Sequence, residues 1–241
     1  TVLGLSPETT YEVTVSAIDA YGNESAASAA ATVTTGSRAQ ALAPMDIGVG
    51  LGSDMDGVWK SGVNFADEWA DFANSNPFNP VFLEEVSNYK VLRFMDMVTT
   101  NNNAIVDWAD RKLPDDADQI PNQNYNKGVI KITDGVAYEW MIRLCNIVGA
   151  DFWVNVPHAA SNDYVAQLAS LVHQYLDPDL KVIVEYSNEA WAGFQSEDHT
   201  QAQGFALGLE QGDFPRYDWF QDKEYARFRY YVLRSLEIHE L

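Results

Sequence analysis

LKVIVEYSNEAW, residues 180–191, is the stretch on which the fold turns. Val182, Ile183, Val184 and Tyr186 make a strand-favouring run, because β-branched and aromatic side chains pack well on a pleated surface. The run stops at Asn188-Glu189, an amide and an acid set side by side where such a strand ends. Their placement asks what an ionisable group does at the end of a buried strand.

Reading outward, the same alternation of strand and helix recurs along the chain. MDIGVGLG, from Met45, predicts a short strand. PVFLEEVSNY predicts a helix with Val81, Phe82, Leu83 and Val86 mostly on one side, and KVLRFMDM a second strand. AYEWMIRLCNIVGA predicts a helix stopped by Gly149, DFWVNVPH a third strand, and NDYVAQLASLVHQYL a helix capped by Ser161 or Asn162. LKVIVEYSNEAW is then the fourth strand and YARFRYYVLRSLEIH the helix after it. Repeated strand-then-helix units imply a parallel sheet with right-handed crossovers. Four such units fit the first half of a (β/α)8 barrel of the TIM type or a small doubly wound sheet.

Residues 1–35 read differently. TYEVTVSAI alternates Tyr11, Val13, Val15 and Ala17 against Glu12, Thr14 and Ser16, the period of a half-buried strand, and turns through Tyr21-Gly22-Asn23 towards a second strand near Ala30 to Thr34. Leu5, Pro7, Thr9 or Thr10, and Tyr11 complete a pattern that resembles the last third of a fibronectin type III domain. In such sandwiches a tyrosine at this place forms a corner bond. Any β-hairpin would share the simpler part of the pattern, and two strands are too few to close a sandwich. Residues 36–43, GSRAQALA, have the small-residue composition of a linker. The expected organisation is a fibronectin-like remnant over 1–35, a linker over 36–43, and the α/β part over 44–241.

Composition narrows the function. With 46% hydrophobic residues in 241 the chain can bury a sizeable core, and no run reaches the roughly 18 apolar residues of a membrane span. Acidic residues number 35 against 15 basic ones, for a net charge of −20. A surface of that sign repels phosphate backbones and anionic membranes, so neither nucleic acid nor membrane is an expected partner, whereas neutral polymers such as polysaccharides are compatible with it. The single cysteine, Cys145, falls in an apolar helical pattern and reads as a core thiol.

In a parallel barrel, functional groups gather at the carboxyl ends of the strands, where the βα loops open. That rule selects Arg93 with Asp96, then His158, then Asn188 with Glu189, and expects the three strand ends to converge on one pocket. Each has a plainer alternative. Arg93 is also placed to neutralise a buried Glu185 or Asp96, His158 to be a hydrogen-bonded structural histidine, and Asn188-Glu189 to cap a helix. The segment from Thr99 to Thr133, rich in Asn, Asp and Pro, reads as a long loop after the second strand, with Asn101 and Trp108 as candidate substrate contacts. Trp191 is a candidate stacking platform for a sugar, and Trp153, early in a strand, reads as core.

VEYSNEAW resembles the strand-four motif of the large clan of retaining glycoside hydrolases built on (β/α)8 barrels, over about residues 45–241. The resemblance implies that Glu189 is the general acid/base and that Asn188 binds the sugar 2-hydroxyl. It further implies that Arg93 orients the nucleophile, that His158 lines the pocket, and that Glu185 is a structural acid inside the barrel. With VLRFMDM and NNNAIVDWADR, the motif is similar to a group of secreted bacterial proteins that join such barrels to fibronectin-like and carbohydrate-binding modules, which implies an extracellular protein without cofactor or metal. The chemistry asks for a carboxyl that keeps its proton near neutral pH, and Val184, Tyr186 and Trp191 are the expected apolar setting. A second carboxylate about 5 to 5.5 Å away would attack the anomeric carbon. In the clan it lies on strand seven, so it is expected outside this chain, and the chain alone is expected to be inactive.

Two other functions remain as alternatives: a non-catalytic carbohydrate-binding barrel, and a metal-dependent hydrolase using His158, Asp96 and Glu189. GVGLGSDMDG, residues 48–57, lacks the last glycine of a dinucleotide loop and the downstream acid of a calcium loop. It reads as a loop of solvated acids.

Overall fold

The computed structural model describes residues 9–14, 16, 24–34, 45–50, 57–120, 135–190, 195–209 and 219–241. Two compact units divide the chain, Thr1–Met45 and Asp46–Leu241.

In the first unit, β1 (Thr10–Val13) and β2 (Ala31–Thr34) pair antiparallel, with Tyr11 opposite Val33 and Val13 opposite Ala31. The expected half-burial is not found: Val13 and Val33 are exposed, and only Tyr11 is partly covered. Alternation selects a face, but burial needs a second layer to cover it, and a two-stranded ribbon supplies none of its own. Val15, Ala17, the Tyr21-Gly22-Asn23 turn and the predicted linker lie outside the described residues.

The second unit is mixed α/β. Its sheet runs in the order β3 (Met45–Gly50), β4 (Tyr89–Arg93), β5 (Asp151–Val156), β6 (Val182–Tyr186), so spatial order follows chain order without reversal. β4 and β5 pair in parallel, as do β5 and β6, with Arg93 beside Trp153 and Asn155 beside Glu185. Six α-helices are described: α1 (Phe65–Ala70), α2 (Pro80–Val86), α3 (Tyr138–Val148), α4 (Asn162–Tyr175), α5 (Gln195–Ala206) and α6 (Trp219–Glu240). None is long and apolar enough to cross a membrane.

Local chemistry sets the helix ends. Asn79 and Ser161 cap α2 and α4, accepting from the amides of Val81 and Tyr164. Gly149 ends α3 at φ 72°, a left-handed conformation that glycine adopts without a Cβ penalty. In α2, Phe82 and Val86 turn inward, whereas Val81 is exposed rather than on the apolar side. The predicted second strand is cut short: it ends at Arg93, and Met95 to Thr99 wind into a turn closed by the Thr100 amide on the Met95 carbonyl at 3.1 Å.

Strand alternation divides the sheet into two faces. Leu92, Phe152, Val154, Val156 and Tyr186 join Trp140, Met141, Ile142, Leu144 and the free thiol of Cys145 from α3, and Tyr164, Val165, Leu168 and Val172 from α4, in one apolar core. Arg93, Trp153, Asn155 and Glu185 belong to the opposite face. That face carries the polar chemistry.

Candidate functional site

The site grows from a single carboxylate. Glu185 stands in β6 with Asn155 beside it, and Arg93 stands one strand further along next to Trp153. Glu185 Oε2 accepts from Arg93 Nε at 2.9 Å, Arg93 Nη2 at 2.7 Å, Trp153 Nε1 at 2.9 Å and Asn155 Nδ2 at 2.7 Å, and Oε1 accepts from Arg93 Nη2 at 2.8 Å. The guanidinium also lies over the Trp153 ring, 5.1 Å from its centroid. Both side chains keep about a fifth of their surface, 22% and 20%, so solvent screens the pair only in part. Charge-assisted bonds in a fork geometry are the strong kind, and here they lock Arg93 in one orientation.

Arg93 passes that orientation on. Its Nη2 also donates to Asn188 Oδ1 at 2.7 Å, and Asn188 Nδ2 donates to Asn101 Oδ1 at 2.8 Å. The Asn188 carboxamide is therefore held from both ends. A carboxamide has two lone pairs on its oxygen and two hydrogens on its nitrogen, so its capacity for bonds exceeds these two.

The turn that presents this pair is strained. Ser187 has φ 57° and Glu189 φ 40°, left-handed values that non-glycine residues rarely take. Each costs on the order of 1–3 kcal/mol and persists only where the surroundings over-determine it. The Ser187 amide donates to the Val156 carbonyl at 2.8 Å, its carbonyl accepts from Asn155 Nδ2 at 2.8 Å, and Ser196 Oγ of α5 reaches the Asn188 carbonyl at 3.4 Å. Asn188 is buried and Glu189 is exposed.

The expected site residues fall into three groups. Arg93, Asn188 and Asn101 come together, and Glu189 follows in the same turn. His158 does not join them. It is 4% exposed, its imidazole packs against His199 of α5 with centroids 5.1 Å apart, and its carbonyl accepts from the Tyr186 hydroxyl at 3.0 Å. Burial, with His199 adding to it, lowers its pKa to about 4, so it is a neutral imidazole at pH 7. Trp108 lies in a separate cluster, under the Arg111 guanidinium at 4.1 Å and parallel to Tyr138 at 6.2 Å, while Arg111 donates to the buried Glu139 at 2.6 Å. Trp191 and the acids Asp54 and Asp56 lie outside the described residues.

Two expectations are corrected. Val184 and Tyr186 do not enclose Glu189, because alternation turns both onto the helix-covered face while the left-handed turn carries Glu189 to solvent. Asp96, His158 and Glu189 do not assemble into a metal-ligating group, since no cluster of three such residues fit for a metal occurs among the described residues. Asn155, Ser187 and the polar use of Trp153 went unread in the sequence. Asn155 carried a signal, being the one amide in the otherwise apolar run FWVNV and two residues from Trp153 on the same face. No family model, curated protein or solved structure matches the chain.

Proposed function

We propose that this chain is part of a secreted polysaccharide-degrading retaining β-glycosidase and carries the acid/base half of its site. The observation that carries the reading is the joining of Arg93, Asn101 and Asn188 through 2.7 and 2.8 Å hydrogen bonds, one residue before Glu189: Arg93 and Asn188 come from the carboxyl ends of β4 and β6, which flank β5, and Asn101 from the turn after β4. In this reading Glu189 protonates the glycosidic oxygen and the leaving sugar departs as an alcohol. A carboxylate elsewhere in the parent protein attacks the anomeric carbon, and Glu189 then deprotonates the water that releases the second sugar. The Asn188 carboxamide binds the 2-hydroxyl. Sequential strand order is how a (β/α)8 barrel grows, and it supports that fold over a doubly wound sheet, whose order reverses at a switch point. The exposed Val182 and Ile183 on the last strand, with Phe228, Val232 and Leu236 on α6, suit cover by further strand–helix units.

The exposure of Glu189 favours a second reading, a carbohydrate-binding barrel in which Asn188-Glu189 is a ligand pair. One experiment separates the two. The full parent protein and its Glu189→Gln variant are assayed on plant and algal polysaccharides and on aryl glycosides. Glycosidase action predicts loss of hydrolysis on unactivated polysaccharide with partial retention on aryl glycosides that have good leaving groups. Sugar binding without hydrolysis in either protein establishes the binding barrel instead.

A further inference from the structure

The geometry points to Asn155 as the positioning residue of the Asn188-Glu189 turn; its effect on turnover rests on the glycosidase reading, its effect on the turn does not. Asn155 sits inside β5 at 0% exposure, in register with Glu185. Its side-chain nitrogen has two hydrogens and both are used, on Glu185 Oε2 at 2.7 Å and on the Ser187 carbonyl at 2.8 Å. One side chain thus ties the ion-paired carboxylate to the backbone where β6 leaves the sheet. Ser187, also 0% exposed, begins the turn at φ 57°, and Glu189 continues it at φ 40°.

A left-handed backbone relaxes unless neighbours hold it. The Ser187 amide is held by the Val156 carbonyl, a bond that continues the sheet. The Ser187 carbonyl is held by Asn155. Removing that donor leaves a buried carbonyl without this bond and Glu185 with one fewer, and both losses fall next to Arg93, which bonds Glu185 and Asn188 together. The turn and the Asn188 carboxamide then move as one. Only a short side chain with two donors on one atom meets the need: aspartate would set a second negative charge against Glu185, and serine has one donor and less reach. Asn155 acts through Ser187 and Glu185 rather than on substrate.

The test is amide hydrogen exchange on this chain, wild type against Asn155→Ala and Asn155→Ser, read at Ser187 and in helices α3 and α4. The expected result is exchange at Ser187 faster by about tenfold, because the turn that holds its amide on Val156 opens more easily once its carbonyl loses Asn155, with α3 and α4 unchanged. Where the alanine variant fails to fold, the serine variant carries the measurement. Unchanged exchange at Ser187 overturns the proposal, and so does an equal acceleration in α3 and α4, which would make Asn155 an ordinary core residue. In the parent protein, Asn155→Ala should lower kcat on poor leaving groups by roughly 10²-fold with KM little changed, as a displaced reacting group does. A Glu189→Gln variant that keeps full turnover, with Ser187 exchange accelerated in Asn155→Ala, refutes the glycosidase reading and leaves the positioning role standing. The leaving-group pattern in Glu189→Gln, with no change at all in Asn155→Ala, refutes the positioning role alone.

Discussion

His158 is kept neutral by its surroundings. At the end of β5 it has the place of a pocket histidine, yet its imidazole is buried against His199 and kept neutral, its pKa lowered to about 4 from 6.5 by burial first and by His199 second. His199 is lowered too, by burial and then by Arg234, whose guanidinium donates to the Ala160 carbonyl at 2.7 Å. Well above pH 6.5 neither folded nor unfolded chain protonates His158, whereas as pH falls through 6.5 towards about 4 the unfolded chain takes up a proton that the folded one refuses. Stability should therefore fall on acidification through that window, by up to about 1.4 kcal/mol per pH unit for one histidine. Urea unfolding between about pH 7 and pH 5, above the main carboxylate titrations, measures it, and His158→Gln should flatten the slope. A slope unchanged in that variant would mean that other groups carry it.

At the scale of elements, α2, α3, α4 and α6 were legible; the six-residue α1, capped by Asn64, was too short to show an apolar stripe, and α5 was not legible either. Its sequence, QSEDHTQAQGFA, has no inward-facing apolar periodicity. What holds it is α6: Gly204 lies directly against the Ala226 backbone, and the buried Arg227 of α6 donates to Glu197 of α5 at 2.6 Å. Gly204→Ala sets two effects in opposition. Helix propensity favours alanine by about 1 kcal/mol, while a Cβ there would strike the Ala226 carbonyl, a backbone atom that no rotamer change can move aside. Overpacking of this kind costs typically 1–3 kcal/mol, so the variant should be less stable than wild type. A raised melting temperature would show that α5 and α6 part more easily than their contact implies. The same dependence on neighbours explains β1 and β2, which formed as strands without the burial that their alternation anticipates.

For the whole molecule, the net charge of −20 is the dominant long-range term. Self-repulsion of that size opposes compactness, and salt screens it over a Debye length of about 10 Å at 0.1 M. The urea midpoint at pH 7 should therefore rise as salt is raised from about 20 to about 300 mM, because the screened repulsion outweighs the weakening of exposed ion pairs. A falling midpoint would show that attractive pairs such as Arg93–Glu185 dominate instead. The sheet's two faces divide the labour: the apolar one is packed beneath α3 and α4, with a cavity of about 320 Å³ lined by Val154, Val165, Leu168, Val182 and Ile238, and the other bears the polar network.

The sequence by itself determined the strands, the helices α2, α3, α4 and α6, their alternation, and the placing of Arg93, Asn188 and Glu189 at strand ends, because those signals are local: side-chain branching, periods of two and 3.6, and the cap residues that backbone hydrogen bonding demands. Only the tertiary structure decided that Glu185 gathers Arg93, Trp153 and Asn155, that Arg93 reaches Asn188, and that His158 turns away towards α5. Register across parallel strands, the strain of a left-handed turn and the rotamer of a shared arginine depend on residues 30 to 95 positions apart in the chain, a separation that no local pattern spans.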